Sequence, residues 1–344
     1  MKTIPLTRAS RRVQRFPVLA ATLFAFGAAT AHAGALTPIT FNLPGGDQLY
    51  SVAFDASGNI WAALNRNSIA EINPSNGAIT NTYTTSGLTG LSYGNTAIDS
   101  SGNLYAAVGY SGAKLWDFNT TTHTFTSYST IGGQTVYDNS VNVDSSGNIW
   151  TATYNGFLSF SSPSGTPTVY GLSEDAATLN GGGNDSQAGV VTGSSLVYSI
   201  ETYGGGYELG ILNINSPGSN IEYDPLMSIT GGGTLSNAVG NPVEDSEGNV
   251  YTIDAGNPVS TLYELNTTSD TWTAIDTLPR ENSPLAYAFD SSGNLWQVGQ
   301  AGNTLLEYDL GAPEPSTWML LAAGLGFIAL GSRRTGASFR KGTR

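Results

Sequence analysis

Short runs of alternating apolar and polar residues, separated by turn-forming residues, make up most of the middle of the chain. The first four runs are Tyr50–Phe54, Ile60–Leu64, Ser68–Ile72 and Ala78–Tyr83. Runs of this length, bounded by Gly, Asn, Asp, Ser and Pro, are typical of β-strands. The pattern therefore predicts four short strands over residues 50–83, joined by tight turns.

A seven-residue phrase, Asp-x-x-Gly-Asn-aliphatic-aromatic, recurs through the same region. Its copies begin 44, 45, 101 and 45 residues apart and are Asp55–Trp61, Asp99–Tyr105, Asp144–Trp150, Asp245–Tyr251 and Asp290–Trp296. The long step is close to two units, and Thr192–Tyr198 fits a degenerate copy between them. A period of about 45 residues with four strands per unit is typical of propeller blades. The sequence therefore predicts an all-β fold, a six-bladed β-propeller.

The sixth unit contains only three predicted strands, Ala286–Phe289, Leu295–Val298 and Thr304–Tyr308. We expect its outer strand to come from Pro38–Leu43, which matches the outer strands in pattern. Closing the ring in this way removes the exposed sheet edges that invite aggregation. The prediction is therefore a propeller over residues 34–312, closed by an N-terminal strand.

The repeated phrase resembles that of NHL-type repeats and of the streptogramin-lyase-like propellers. Their blades carry a similar Asp-x-x-Gly-Asn-aliphatic-aromatic sequence. The resemblance covers residues 38–309 and implies the same six-bladed fold. It specifies the fold far better than it specifies an activity, because one propeller fold supports many functions.

Residues 1–33 have the three-part pattern of a signal peptide. A basic segment precedes the apolar stretch Val18–Ala29, and Ala31-His32-Ala33 forms a small-x-small cleavage site. We expect cleavage before Gly34 and export of the chain, the alternative being an uncleaved N-terminal anchor.

The other end has three parts in a fixed order: a triplet, the apolar stretch Trp318–Leu330 and the pair Arg333-Arg334. The triplet is Pro313, Glu314 and Pro315. This order, over residues 313–334, resembles the PEP-CTERM sorting signal of Gram-negative bacteria. The resemblance implies an exosortase-type processing enzyme as partner and transient anchoring of a short transmembrane helix in the inner membrane. It also implies a final location at the cell surface or outside the cell, among exopolysaccharide and biofilm components. Residues 335–344 would form a basic cytoplasmic tail, and an ordinary C-terminal anchor is the alternative.

Acidic and basic residues are unevenly distributed along the chain. Of the 13 Lys and Arg, only Arg66, Lys114 and Arg280 lie within residues 34–315, whereas all 26 Asp and Glu lie there, so this body has a net charge of −23. Such a surface repels nucleic acid and anionic polysaccharide and favours cations. We therefore expect no nucleic-acid partner.

Two features of the repeat have both a structural and a functional interpretation. The oxygens of the Asp-x-x-Gly-Asn turns suit Ca²⁺, but the same groups also stabilise turns by bonding the local backbone, and we favour the second. The repeated aromatic suits either packing between blades or a sugar-stacking platform, and we favour packing. The residues assigned to this position are Trp61, Tyr105, Trp150, Tyr198, Tyr251 and Trp296.

The mouth of a propeller is lined by the loops that enter the first strand of each blade and by those that join the second strand to the third. The candidate ligand-binding residues in these loops are Asn95, Asp138, Glu201, Asn237, Asp254 and Glu281. We expect a polar, hydrated mouth and no cofactor. The alternative is a single divalent cation such as Ca²⁺, as in the related lactonase-type propellers.

No residue is assigned a catalytic role. The chain has no Cys and only two His, of which His32 leaves with the signal peptide and His123 falls in an outer turn. Streptogramin lyases rely on a histidine at the mouth, so this departure argues against lyase activity here.

These features predict an exported, non-catalytic binding propeller at the cell surface or in the extracellular matrix, with a matrix or polysaccharide component as partner. One alternative is a metal-dependent hydrolase, lactonase or lyase that uses mouth carboxylates such as Glu201 and Asp254. Another is a scaffold whose ligand is a second protein.

Overall fold

The computed structural model describes residues 38–43, 47–88, 91, 96–108, 114–136, 140–153, 156–171, 186–202, 206–215, 228–229, 240–254, 259–267, 271–279, 286–299 and 303–310. Across these ranges the chain forms strands, turns and bends, without a helix. The described part of the chain accordingly contains no helix long and apolar enough to cross a membrane. The predicted signal peptide (1–33), sorting signal (313–334) and basic tail (335–344) lie outside the described residues.

Most of the described strands assemble into six sheets, the blades, which follow one another in chain order and whose consecutive strands pair antiparallel. Strand β1 is Ile39–Asn42. Blade 1 contains β2 (Ala53–Phe54), β3 (Ile60–Leu64), β4 (Ser68–Ile72) and β5 (Ile79–Tyr83). Blade 2 contains β6 (Ala97–Ile98), β7 (Asn103–Val108), β8 (Lys114–Asn119) and β9 (Thr124–Tyr128). The hairpin β10 (Thr130–Ile131) and β11 (Gln134–Thr135) connects it to blade 3, which contains β12 (Val141–Val143), β13 (Ile149–Thr153), β14 (Gly156–Phe160) and β15 (Thr168–Gly171).

The second half of the ring follows the same order. Blade 4 contains β16 (Ser186–Thr192), β17 (Ser195–Thr202) and β18 (Gly206–Asn213). The short strand β19 (Ser228–Ile229) precedes blade 5, which contains β20 (Val243–Glu244), β21 (Val250–Asp254), β22 (Val259–Asn266) and β23 (Thr271–Pro279). Blade 6 contains β24 (Tyr287–Phe289), β25 (Leu295–Val298) and β26 (Thr304–Tyr308). The prediction of an all-β, six-bladed propeller is therefore confirmed.

The N-terminal strand closes the ring as predicted. Strand β1 pairs antiparallel with β26, with Ile39 opposite Glu307 and Asn42 opposite Thr304, and so forms the outer strand of blade 6. The ring of Phe41 stacks on Trp296, with centroids 5.5 Å apart. Because the first and last described strands share one sheet, blade 6 joins the two ends of the propeller.

Two local features depart from the predicted pattern. The hairpin β10–β11 adds a small sheet between blades 2 and 3. Strand β19 pairs with β23 in parallel and makes blade 5 five-stranded. The sequence contained no alternation or turn signal strong enough to predict two-residue strands such as these.

Among the described residues the core forms six apolar clusters, each lying between two neighbouring blades. One of them joins blades 6 and 1 and contains Trp296, Val298, Ile60 and Ile72. Another joins blades 3 and 4 and contains Trp150, Phe157 and Leu196. Each blade therefore buries both of its faces, which is why its central strands are apolar on both sides rather than on alternate residues. In β3 and β13 every residue is buried.

Candidate functional site

The repeated turns are held together by the carboxylate of their first residue. In blade 1, Oδ1 of Asp55 accepts backbone N–H groups from Ser57 at 2.8 Å and from Asn59 at 3.0 Å. Oδ2 accepts the side-chain amide of Asn59 at 2.9 Å and the indole N–H of Trp61 at 3.0 Å. The glycine of the turn, Gly58, has a φ of +82°, a conformation that glycine adopts without strain.

The same arrangement occurs in the other four complete turns. Their aspartates accept the aromatic N–H or O–H at distances between 2.9 and 3.1 Å: Asp99, Asp144, Asp245 and Asp290. Burial alone would raise the pKa of Asp55, but the hydrogen bonds from Trp61, Asn59 and Ser57 lower it below its usual value. Both oxygens of each carboxylate thus face donors, so a cation would have to displace them. This geometry supports the structural interpretation of the turns over the Ca²⁺ interpretation.

The repeated aromatics are buried between blades. Trp61, Trp150 and Trp296 are only 2–3% exposed, and Tyr251 is 8% exposed. Trp61 packs against Phe118 of blade 2, with ring centroids 5.7 Å apart. A sugar-stacking platform requires exposed ring faces, so the packing interpretation is confirmed.

The assignment of Tyr198 to the repeated aromatic position is wrong. In blade 4, Val191 pairs with Leu196 as Val143 pairs with Ile149 in blade 3, so Val197 is the residue equivalent to Trp150. Between these equivalent pairs blade 4 has four residues where blade 3 has five, which shifts the match by one residue. Tyr198 consequently faces blade 3 and packs on Phe157 with ring centroids 5.0 Å apart.

In four blades an acidic residue on the third strand lies directly opposite the repeated aromatic on the second strand. These pairs are Trp61 with Glu71, Tyr105 with Asp117, Tyr251 with Glu264, and Trp296 with Glu307. Each such acid lies in the same blade as a turn aspartate. Burial, followed by the charge of Asp99, raises the pKa of Asp117 to about 6. Burial and a turn aspartate likewise raise the pKa values of Glu264 and Glu307.

His123 lies in the outer turn of blade 2, as predicted. Its ring stacks on Tyr83 of blade 1, with centroids 4.4 Å apart, and Nε2 is 3.2 Å from the Tyr83 hydroxyl. It also stacks on Phe118 at 6.3 Å. His123 therefore joins the outer parts of blades 1 and 2.

Only two of the six predicted mouth residues fall within the described ranges. Asp254 ends β21 and is 6% exposed, and Glu201 lies on β17, the second strand of the neighbouring blade 4. Asn95, Asp138, Asn237 and Glu281 lie outside the described residues, as do Pro313, Glu314 and Pro315 of the sorting signal. Within the described ranges, no three His, Asp or Glu side chains are grouped closely enough to hold a metal ion.

A cavity of about 620 Å³ lies at the centre of the ring, where the first strands of all six blades meet. Its wall contains both polar and apolar residues, and the apolar part includes Phe54, Ile98 and Phe289. Turn residues of blades 3 and 5 also line it, among them Asp144 and Glu247, so the cavity lies at the turn end of the central channel. The predicted ligand-binding residues belong to the mouth, which is the opposite end of the channel.

Glu244 is the lining residue that the sequence analysis missed. It ends β20, the first strand of blade 5, and it is exposed. Partial burial of its carboxyl, and then the charge of Asp245, raise the pKa of that group. Aligning the six units by their strand pairs would have revealed it, because the equivalent residue is apolar in every other blade. A concave cavity of this volume, with apolar and polar residues in its wall, is a candidate small-molecule site.

The fold has counterparts among solved structures. No protein-family model and no curated protein sequence matches the chain. A streptogramin B lyase structure is 13% identical, covering 80% of this chain and 98% of its own, with a TM-score of 0.50. A protein of unknown function from Bacteroides thetaiotaomicron is 14% identical over 81% of this chain and 72% of its own, with a TM-score of 0.51. A putative oxidoreductase (glucose dehydrogenase) from Thermus thermophilus is 12% identical over 79% of this chain and 100% of its own, with a TM-score of 0.51. At these identities the likeness shows the fold alone, a β-propeller.

Proposed function

We propose that the chain is an exported protein that acts as a non-catalytic binding propeller at the cell surface or in the extracellular matrix. Its two ends support export, because residues 1–33 resemble a signal peptide and residues 313–334 resemble a PEP-CTERM sorting signal. On this proposal, an exosortase-type enzyme processes the C-terminal end, after transient anchoring in the inner membrane. The processed body, with a net charge of −23, then engages a neutral or cationic matrix component.

One observation carries the non-catalytic part of the proposal: the position of His123. After removal of residues 1–33 it is the one histidine of the chain, since His32 lies within the signal. Its ring stacks on Tyr83 and its Nε2 is within hydrogen-bond distance of the Tyr83 hydroxyl. A general base must reach its substrate within hydrogen-bond distance, and the outer stack between blades 1 and 2 keeps this imidazole away from the central channel.

The processing part is tested by measuring the ends of the protein produced in an exosortase-bearing Gram-negative host. We expect an N-terminus at Gly34 and loss of the segment that follows Pro315. Replacing Pro313, Glu314 and Pro315 by alanine should leave the C-terminal segment in place and the protein in the membrane fraction. Unchanged processing of that variant would reject the sorting-signal interpretation.

The binding part is tested by retention of the processed protein on matrix material from the producing cell. We expect retention on neutral or cationic glycans and none on nucleic acid or anionic polysaccharide at low salt. The His123→Ala variant should be retained like the wild type. Turnover of a lactone or ester substrate that disappears in that variant would instead favour a histidine-dependent enzyme.

A metal-dependent hydrolase, lactonase or lyase is the second candidate, and one observation favours it. Asp254 is a buried carboxylate at the end of β21, and Glu201 lies on the corresponding strand β17 of the adjacent blade. Carboxylates on the second strands of two adjacent blades supply the oxygen ligands that a hard cation such as Ca²⁺ prefers. On this reading, the protein purified without chelator carries one divalent ion per chain, and Ca²⁺ raises its Tm. The Asp254→Asn and Glu201→Gln variants should lose that rise, whereas an identical Tm with and without Ca²⁺ would exclude this candidate.

A further inference from the structure

The first strands of the six blades carry equivalent residues, at or next to their last position, around the central channel. Their equivalence follows from the strand register, because each residue pairs with the buried aliphatic residue at or next to the start of the second strand, such as Ile60 or Val250. The six residues are Phe54, Ile98, Val143, Val191, Glu244 and Phe289. Five are apolar and one is a carboxylate, and all six line the 620 Å³ cavity.

The composition of this ring indicates what it can bind. Aromatic and aliphatic side chains favour an apolar body, because transferring such a body from water into the cavity is favourable. A single carboxylate among these six positions favours one positive charge there. We propose that the turn end of the channel binds an organic cation, a primary ammonium group attached to an apolar body, with Glu244 holding the ammonium.

The other acidic groups of the cavity are less suited to this role. Asp144 and Asp245 each use both carboxylate oxygens to accept turn and aromatic donors. Glu247 is an exposed residue within the turn itself. Glu244, in contrast, lies on β20, at the position equivalent to the five apolar residues of the other blades.

The electrostatic surroundings favour a cation at this position. Burial and the neighbouring charge of Asp245 make the charged form of Glu244 costly, and a ligand ammonium would offset that cost. The described Lys and Arg side chains lie elsewhere, with Arg66 over the ring of Tyr50 at 4.9 Å and Lys114 over Trp116 at 5.8 Å. The charge of −23 on the body would also raise the local concentration of cations.

The same ring does not suit a metal ion. Ca²⁺ takes six to eight oxygen ligands, whereas five of the six ring positions carry no oxygen in their side chains. An ammonium group needs fewer partners and brings its own apolar body to cover the wall. This inference does not depend on export or on matrix binding, since it concerns the channel itself.

The test is calorimetric titration of the purified full-length protein with three matched probes: 4-phenylbutylammonium, 4-phenylbutanol and 4-phenylbutyrate. We expect the ammonium compound to bind at one per chain, the alcohol to bind three- to tenfold more weakly, and the carboxylate not to bind measurably. In Glu244→Gln, the affinity for the ammonium compound should fall to that of the alcohol, and the affinity for the alcohol should stay unchanged.

Two further variants separate the ring from the general acidity of the protein. Glu247→Gln removes a carboxylate from the same cavity and should leave all three affinities unchanged. Moving the carboxylate to an equivalent position, in the double variant Glu244→Val with Val191→Glu, should restore the preference for the ammonium compound. Equal binding of ammonium and alcohol by the wild type, or an equal effect of Glu247→Gln and Glu244→Gln, would overturn the proposal. Failure of all three probes to bind would also overturn it.

Discussion

The indole N–H of Trp150 donates a hydrogen bond of 2.9 Å to Oδ2 of Asp144, six residues earlier in the chain. Trp150 lies in the apolar cluster between blades 3 and 4, and Asp144 begins the turn that joins the first two strands of blade 3. The bond therefore connects the turn to the core between blades. Because the phrase recurs in five blades, the same connection is made five times around the ring.

Replacing Asp144 by alanine should destabilise the propeller by about 2–3 kcal/mol, since the change removes acceptors for two backbone N–H groups and leaves the buried indole N–H of Trp150 without its partner. Chemical denaturation gives the free energy of unfolding. Asp144→Asn should also destabilise, because its amide presents N–H rather than an acceptor either to Trp150 or to the turn.

The matched control for this change is Ser145→Ala, at the exposed middle of the same turn. It should alter the free energy of unfolding by less than about 0.5 kcal/mol. Equal losses for Asp144→Ala and Ser145→Ala would mean that the carboxylate contributes nothing specific to the turn.

Ring closure by the N-terminal strand makes Phe41 a sensitive position. Its ring stacks on Trp296 and packs against the cluster between blades 6 and 1. Phe41→Ala should therefore cost about 2 kcal/mol, less than a fully buried phenylalanine because the side chain is only partly buried. Thr40→Ala, at an exposed position of the same strand, is the control and should be nearly neutral. The measurement is the Tm of each variant. Equal Tm values for Phe41→Ala and Thr40→Ala would show that β1 adds little to ring closure.

The corrected register of blade 4 predicts an unusual cost for a small substitution. Gly210 lies opposite Tyr198, and a Cβ added at Gly210 would collide with the tyrosine ring. Gly210→Ala should therefore destabilise by about 1–3 kcal/mol, although alanine normally suits an extended strand better than glycine. In the Tyr198→Val background the same substitution should be close to neutral, which a double-mutant cycle of unfolding free energies would measure. Additive effects would contradict the contact between Gly210 and the ring of Tyr198.

The fold could be predicted because its signals are local and repeated. The repeated phrase contains the residues that form the turn. The Asp carboxylate accepts hydrogen bonds, the Gly adopts a positive φ, and the aromatic residue six positions after the Asp donates a hydrogen bond to it. Five copies and one step of about double length indicated six blades, and they placed strands such as Ile60–Leu64 and Leu295–Val298 at their observed bounds. Blade 4 lacks the phrase, so the length of its turn could not be predicted, and Tyr198 was assigned to the repeated position that Val197 occupies.

The candidate site could be predicted only in part, because its residues are defined by position around a ring rather than by a motif. Glu244 is unremarkable in its own unit, where it precedes an aspartate and a serine. It becomes distinctive only when strand pairing shows which residues of the other blades occupy the same level of the channel. The loop residues Asn95 and Glu281 carry no repeat signal at all, so sequence alone could name them as candidates without placing them.

Acidic residues opposite the repeated aromatics give stability a specific dependence on pH. Burial and Asp99 raise the pKa of Asp117 from 3.8 to about 6 in the folded protein. A carboxyl whose folded pKa is raised favours folding when protonated, so its contribution is present at low pH and is lost as the pH rises through about 6. The raised pKa values of Glu244, Glu264 and Glu307 act in the same direction. Asp55 acts oppositely, because its pKa is lowered and its stabilisation is lost as the pH falls through that lowered value.

These opposing effects predict a maximum of stability on the acid side of neutrality, between about pH 4 and 5, rather than at pH 7–8. Asp117→Asn should raise the Tm at pH 8 by about 2–4 °C, corresponding to about 1 kcal/mol once screening by solvent is allowed for, and should have little effect at pH 4.5. Thermal melts of the wild type and the variant at both pH values provide the measurement. Repeating the melts in high salt separates the contribution of burial from long-range repulsion within the acidic body, because salt weakens only the second. A wild-type Tm that is higher at pH 8 than at pH 4.5 would show that the acidic pairs do not control the stability of the ring.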